Sequence, residues 1–282
     1  MRIITLLTDF GNVDGYVAQM KAAVLRMVPD VEIIDISHGI KPHNIVMGSF
    51  VLETTAPYFP IGTIHVAVVD PGVGGSRLPI MIVCKNGILV GPDNGLLARA
   101  SDKLTFIAAY RIKTGNFTGN ISSTFHGRDI FAITAAKIVA GKRPSQLGSK
   151  IRRITRLQIP EARISAGKVS CHAIHVDSFG NIVTNIRDDN RIILTGKTST
   201  IARLNRKGHS KHPILLVSSY HEIRKGQIGL LRGSQGYYEI AAREASAADL
   251  LAVQDLDELS ITFTRSYRSR KYRGGVRPRQ PS

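Results

Sequence analysis

An α/β N-terminal domain with a mostly parallel sheet, followed by an all-β, barrel-like C-terminal domain, is the fold this 282-residue sequence predicts. Three observations carry that expectation. Through residue 150, apolar runs alternate with stretches of helical period. From residue 167 to 262 the apolar runs are short and close-set, with Gly and Asn between them. The stretch joining the two, 151–166, is basic, lacks a period and holds Pro160, as a linker would.

Residues 2–8 (RIITLLT) form the continuous apolar run of a strand covered on both faces. In DGYVAQMKAAVLRMVPD, Val17, Met20, Val24 and Met27 recur at helical spacing, Asp14 is placed to cap the start, and Pro29 stops the run. VEIIDIS at 31–37 is a second strand, NIVMGSFVLETTAPYF at 44–59 a second helix, and TIHVAVVD a third strand. PIMIVCKNGILVG reads as a hairpin with Asn86-Gly87 as a type I′ turn. KLTFIAAY adds a strand, and DIFAITAAKIVAG a helix stopped by Gly141 and Pro144. The second domain then draws its strands from KVSCHAIHVDS, NIVTNI, RIILTG, TSTIARLN, PILLVSSY, QIGLLRGS and YYEIAAR.

The formal net charge is +17, and seven of the cations fall between Arg265 and Ser282 with no acid among them. A segment of that composition buries too little apolar surface to fold, so 263–282 is expected to be a disordered basic tail. Its roles are solubility or a weak contact with nucleic acid. No apolar run approaches the roughly 20 residues that span a bilayer, and Asp9 interrupts the N-terminal run before it could serve as a signal peptide. Cys84 and Cys171 lie far apart, outside any CxxC, which fits a reduced, cytoplasmic protein without a structural zinc site.

The stretch VAVVDPGVGGSR, Val66 to Arg77, poses the functional question. A buried strand ends on a carboxylate, passes into a glycine turn and closes on a guanidinium. Three further polar clusters stand where strands end: Asp9 in LLTDFGN, Ser37-His38 after VEIIDI, and Phe125-His126-Gly127-Arg128 before a helix. Ligands of open α/β sheets bind beyond the carboxyl ends of the strands, so these clusters converge on the place where a site belongs. GVGGSR lacks the Lys-Ser/Thr of a phosphate-binding loop, TDFG has no accompanying kinase motifs, and GxSxG is absent.

The set TDFGNVDGYVAQMK, DISHGIKPHN, VVDPGVGGSR, GPDNGLL, FHGRDIFA, DSFGNIVTNI and GSQGYYEIAAREASAADLL resembles the S-adenosyl-L-methionine (SAM) hydroxide adenosyltransferase family, relatives of the fluorinases and chlorinases. The likeness runs from about residue 2 to residue 252. It implies an adenosine-forming SAM hydrolase that needs no cofactor or metal, its water activated by Asp70, Arg77 and His126. By the same likeness Asp9 holds the ribose hydroxyls, a task suited to a group that accepts two hydrogen bonds at once. Asp14 and Asp177 meet the methionine ammonium. Phe179 and Tyr220 flank the adenine, whose edge is read by Asn181 and the backbone near Arg243 and Ala245. Ser234 falls in the amino-acid-binding stretch, His43 replaces an aromatic wall of the halogenases, and Phe125 belongs to the substrate pocket. The halogenases carry tyrosine where Asp70 stands and a halide-contacting serine where Gly127 stands, so water is the implied nucleophile. The family is homotrimeric, with its substrate between the N-terminal domain of one subunit and the C-terminal domain of the next.

Taken without the likeness, Phe179-Gly180-Asn181 reads equally as a tight turn, and Phe179 and Tyr220 as barrel core. A protein that binds SAM or adenosine as a signal would keep the ligand-holding residues. It would have no use for Asp70, Arg77 and His126 together.

Overall fold

Strand β1 (Ile3–Thr8) and strand β3 (Thr63–Val68) are buried along their whole lengths, as central strands covered on both faces are. Around them a computed structural model describes residues 2–116, 120–165, 167–188, 201–206 and 212–263. The chain divides into two compact units, Met1–Ile159 and Pro160–Ser282.

In the first unit β1 and β3 sit side by side, with β2 (Glu32–Ser37) outside β1. Strands β4 (Pro79–Cys84), β5 (Gly87–Pro92), β6 (Phe106–Ile112) and β7 (Gly148–Ile151) complete a seven-stranded sheet of order β2-β1-β3-β5-β4-β6-β7. The pairings from β2 through β5 are parallel, whereas β5–β4, β4–β6 and β6–β7 are antiparallel. The sheet is therefore mixed, and the expectation of a mostly parallel one holds for only half of it. The reason is the hairpin: two residues can join antiparallel neighbours, while a parallel return needs a long crossover. Those two residues are Lys85 and Asn86, since Val83 pairs with Ile88, so Gly87 already belongs to β5 and the type I′ assignment is corrected.

Helix α1 (Tyr16–Leu25) buries Val17, Met20 and Val24; Met27 lies past its end and is exposed. It packs with the helical segment Gly127–Val139 on one face of the sheet, against Leu6, Val66 and Val68. Helix α2 (Ile45–Thr55) and helix α3 (Ala98–Lys103) pair over the other face, on Leu7, Ala67 and Val69. Because β1, β2 and β3 run parallel, Asp9, His38 and Asp70 all follow strand ends on one edge of the sheet.

The second unit contains β8 (Arg163–Ser165), β9 (Lys168–Val176), β10 (Ile182–Arg187), β11 (Ile201–Arg206), β12 (His212–Leu216), β13 (Ile228–Arg232), β14 (Tyr237–Ala242) and β15 (Glu258–Phe263). They form one sheet of order β10-β14-β13-β12-β11-β15-β9-β8, and β10 also pairs with β9, so the sheet curls back on itself. Its interior is apolar, with Val169, Cys171, Ile182, Ile214, Leu230, Tyr238, Ile240 and Ile261. The RIILTG stretch and the basic tail lie outside the described residues. Among the described residues no helix is long and apolar enough to cross a membrane.

His65, in the middle of β3, is 1% exposed, and its Nδ1 lies 2.8 Å from the Thr5 hydroxyl. Burial drives its imidazole from the ordinary 6.5 down to about 4. A base with a depressed folded pKa is protonated first in the unfolded chain, so stability is lost as pH falls through that interval. The loss amounts to about 3 kcal/mol. Urea unfolding at pH 7 and pH 4.5 should show this destabilisation in the native chain and a smaller one in His65→Gln.

Candidate active site

Asp70 follows the buried end of β3, where Asn94 fastens the chain by donating its Nδ2–H to the Val69 carbonyl at 2.8 Å. The backbone then turns tightly: Val73 N donates to Asp70 O at 3.2 Å and Gly75 N to Gly72 O at 3.0 Å. Gly74 sits at φ +75, and a β-carbon there would fall 2.4 Å from the Ser123 carbonyl oxygen. Both the left-handed conformation and the close approach therefore demand glycine. The turn brings Arg77 back over Asp70. Its Nε donates to Oδ1 at 3.0 Å and to Oδ2 at 2.9 Å, and its Nη2 donates closely to Oδ2. The Asp70 side chain is 4% exposed and that of Arg77 10%, with Phe131 under the guanidinium, 5.4 Å from carbon to ring centre.

The same Nη2 lies 2.7 Å from His126 Nδ1. A guanidinium only donates, so Nδ1 must accept, and the neutral ring carries its proton on Nε2. Burial, and then the Arg77 charge, hold His126 below its ordinary range against the opposing pull of Asp70 and Asp129. Its mounting is a π-helical turn, Gly127–Ala132, which leads into the α-helix α4 (Ile133–Val139). A β-carbon on Gly127 would lie 3.3 Å from Met20 Sδ and the Phe125 ring and 3.4 Å from the Phe10 ring. A serine at this position would have to push those groups aside. Phe125 is buried in a cluster of edge-on rings with Phe10 and Tyr16.

Asp9 Oδ2 accepts from the His43 backbone N–H at 2.9 Å, and His43 itself holds a left-handed φ of 65. Thr8 pairs with Val68, so Asp9 and Asp70 leave neighbouring strands. Asp14 is exposed and does not cap α1, whose N-cap is Gly15 without a side-chain bond, so the capping role is corrected.

In the second unit Asp177 organises its own turn. Its Oδ1 accepts from Phe179 N and Asn181 N at 2.9 and 2.8 Å, and its Oδ2 from Asn181 Nδ2 at 3.0 Å. That rigid turn presents the Phe179 ring 79% exposed, and Tyr220 is 50% exposed, so neither is barrel core. Sequence reasoning missed Glu239, a buried acid whose carboxylate closely accepts the Tyr220 hydroxyl proton. Burial first, and then the Asp177 charge, raise Glu239 above the usual carboxylate range, while the bond from Tyr220 opposes them. The signal was present in YYEIAAR, where an acid interrupts an otherwise apolar strand. Ser234 is exposed between β13 and β14, Arg243 lies beside Glu244, and Ala245 bridges back to Ala242.

The family model of the SAM hydroxide adenosyltransferase N-terminal domain matches residues 4–148, and that of the C-terminal domain matches residues 171–260. An (R)-S-adenosyl-L-methionine hydrolase of Methanocaldococcus jannaschii is 39% identical over 267 residues, 93% of this chain and 96% of the relative. A fluorinase of Actinopolyspora mzabensis is 26% identical over 216 residues, 67% of this chain and 72% of its own. The crystal structure of an uncharacterized conserved protein from Thermotoga maritima superposes with a TM-score of 0.85 at 32% identity, over 92% of this chain and 99% of that one.

Histidine-selective NMR should find the His126 ring protonated on Nε2 at neutral pH and titrating below 6.5. Arg77→Met, which removes one of the two depressing influences, should move that titration upward. A ring protonated on Nδ1 would contradict the geometry.

Proposed function

The chain belongs to the SAM hydroxide adenosyltransferase family, and from that membership we propose that it hydrolyses (R)-SAM to adenosine and L-methionine, with water attacking ribose C5′. The observation that carries the reading is the hydrogen-bonded group Asp70–Arg77–His126 at the carboxyl edge of the sheet. The sulfonium leaves as a neutral thioether and needs no acid. What the reaction lacks is a nucleophile, because neutral water is poor and hydroxide is scarce near pH 7.

The hydrogen bonds support a division of labour. Arg77 occupies His126 Nδ1, so the histidine offers its Nε2–H to the oxygen of the attacking water and orients it. Asp70 is the proton acceptor through Oδ1, which takes one bond from Arg77 and keeps a lone pair, whereas Oδ2 takes two. The guanidinium offsets the negative charge that develops on the oxygen. As the O–C5′ bond forms and the C5′–S bond breaks, the electron pair goes to sulfur and the water proton passes through Asp70 to solvent. Anion meeting cation annihilates charge, so the buried setting of these groups favours the step.

The ligand-holding residues fit the same substrate. Asp9 has one lone pair engaged by His43 and others for a ribose diol. Asp14, not used as a cap, and Asp177 are suited to the methionine ammonium, though three internal bonds leave Asp177 little spare capacity. The exposed rings of Phe179 and Tyr220 suit the adenine faces, with Asn181, the Arg243 and Ala245 backbone and Ser234 completing the pocket. His43 and Phe125 stand as neighbours of Asp9 and His126. A homotrimer would supply the two halves of each pocket from adjacent subunits.

Turnover of (R)-SAM in oxygen-18 water should place label in the adenosine 5′-hydroxyl, read by mass spectrometry. Unlabelled adenosine, or none, would refute the reaction. Asp70→Ala and His126→Ala should each lower kcat about 100-fold or more with binding largely kept; near-native rates in both would refute the assigned roles. The pH profile has a defined sign as well. Because the folded pKa of His126 is depressed, the neutral ring persists as pH falls through 6.5, and kcat/KM should drop only below that value.

A further inference from the structure

Behind Asp9 a chain of polar contacts runs from the surface to the backbone on either side of this residue. Lys21 Nζ lies 2.5 Å from Asp35 Oδ2, and Asp35 Oδ1 lies 3.1 Å from His38 Nε2, close although not aligned as an ideal hydrogen bond. His38 Nδ1 is 2.8 Å from the Thr8 hydroxyl, which accepts from Phe10 N at 3.2 Å. Thr8 is fully buried and His38 is 5% exposed. A carboxylate beside Nε2 draws the ring proton there, so Nδ1 accepts from Thr8 Oγ1–H and the hydroxyl oxygen is left to accept from Phe10. The His38 carbonyl also accepts from Gly11 N at 2.9 Å.

The backbone is bent to make these contacts. Leu6 pairs with Asp35 but Leu7 with Ser37, an irregularity that re-aims the end of β2. Burial alone would raise Asp35, yet the neighbouring Lys21 and His38 outweigh it and hold the carboxyl below its ordinary value. Thr8 and Phe10 flank Asp9 in sequence, and His43, five residues beyond His38, donates to its carboxylate. Asp9 is thus held from both backbone neighbours and from its side chain.

We propose that His38 and Thr8 are positioning residues that aim the Asp9 carboxylate at a vicinal diol, and so make the site selective for a ribonucleoside over its deoxygenated analogue. This rests on the reading of Asp9 as the ribose ligand. Asp35 and Lys21 fix the tautomer of His38 from the half-exposed end of the chain.

The test is calorimetric binding of adenosine and of 2′,3′-dideoxyadenosine to the full-length protein and its variants. The native protein should prefer adenosine by at least tenfold, the scale of a charge-assisted hydrogen bond. Thr8→Val keeps shape but removes the hydroxyl; it should narrow that preference about tenfold by weakening adenosine alone, and Thr8→Ser should restore it. A native protein with no preference would refute the diol reading of Asp9 and this proposal with it. A native preference that Thr8→Val leaves intact would overturn the positioning proposal alone. Should Thr8→Val not fold, Asp35→Ala at the half-exposed end serves instead: a narrowed preference supports the relay and an unchanged one overturns it.

Discussion

Burying a carboxylate at the end of a strand is costly unless its charge is met, and the Asp70 side chain, almost wholly buried, is met by the Arg77 guanidinium. Arg77 supplies that countercharge only because the chain reverses within a few residues, and the reversal depends on a glycine that can sit at φ +75 against the Ser123 carbonyl. The same guanidinium then fastens His126, from a segment some fifty residues later, to the end of β3. Turn, strand and helix start are thus coupled through a single side chain. Lysine would not substitute: it has the charge but not the planar fork that addresses two acceptors in fixed directions.

That coupling also fixes which hydrogen-bonding atoms stay available. With Nδ1 of His126 accepting from Arg77, the neutral imidazole carries its proton on Nε2, while Asp70 Oδ1 keeps one lone pair. Two groups that a sequence reader would rank as interchangeable bases thus differ in what they can offer: a ring N–H on one, a carboxylate lone pair on the other. The tight packing around Gly127 belongs to the same design, because Met20, Phe125 and Phe10 leave no room for a side chain next to His126 without rearrangement. In the second unit the logic is similar but the groups differ. Asp177 is committed mainly to its own turn, and the Tyr220 ring is tethered by the buried Glu239, so each exposed aromatic residue is held through an acid.

Much of the fold was legible because its signals are local. The apolar run of β1 and the periodic face of α1 each report their own burial, and the short strands after residue 167 report a second unit. Asp14 as a cap and Asn86-Gly87 as the turn failed, and a mostly parallel sheet held for only half its pairings, for another reason. Each depends on where the chain goes next, as when Val83 pairs with Ile88 and shifts the turn by one residue. Glu239 was overlooked because alternation in a strand marks which residues share a face and not which hydroxyl waits there.

The sequence by itself determined the alternation of elements, the change of texture to short, close-set strands and the family motifs that place Asp9, Asp70, Arg77 and His126 at strand and helix ends. Only the tertiary structure decided which nitrogen of His126 is occupied, that Arg77 serves Asp70 and His126 at once, and that His38 reaches Thr8 behind Asp9. Residue type specifies which donors and acceptors a chain carries. Their pairing is a matter of angles and distances between segments remote in sequence, and only the packed sheet fixes those.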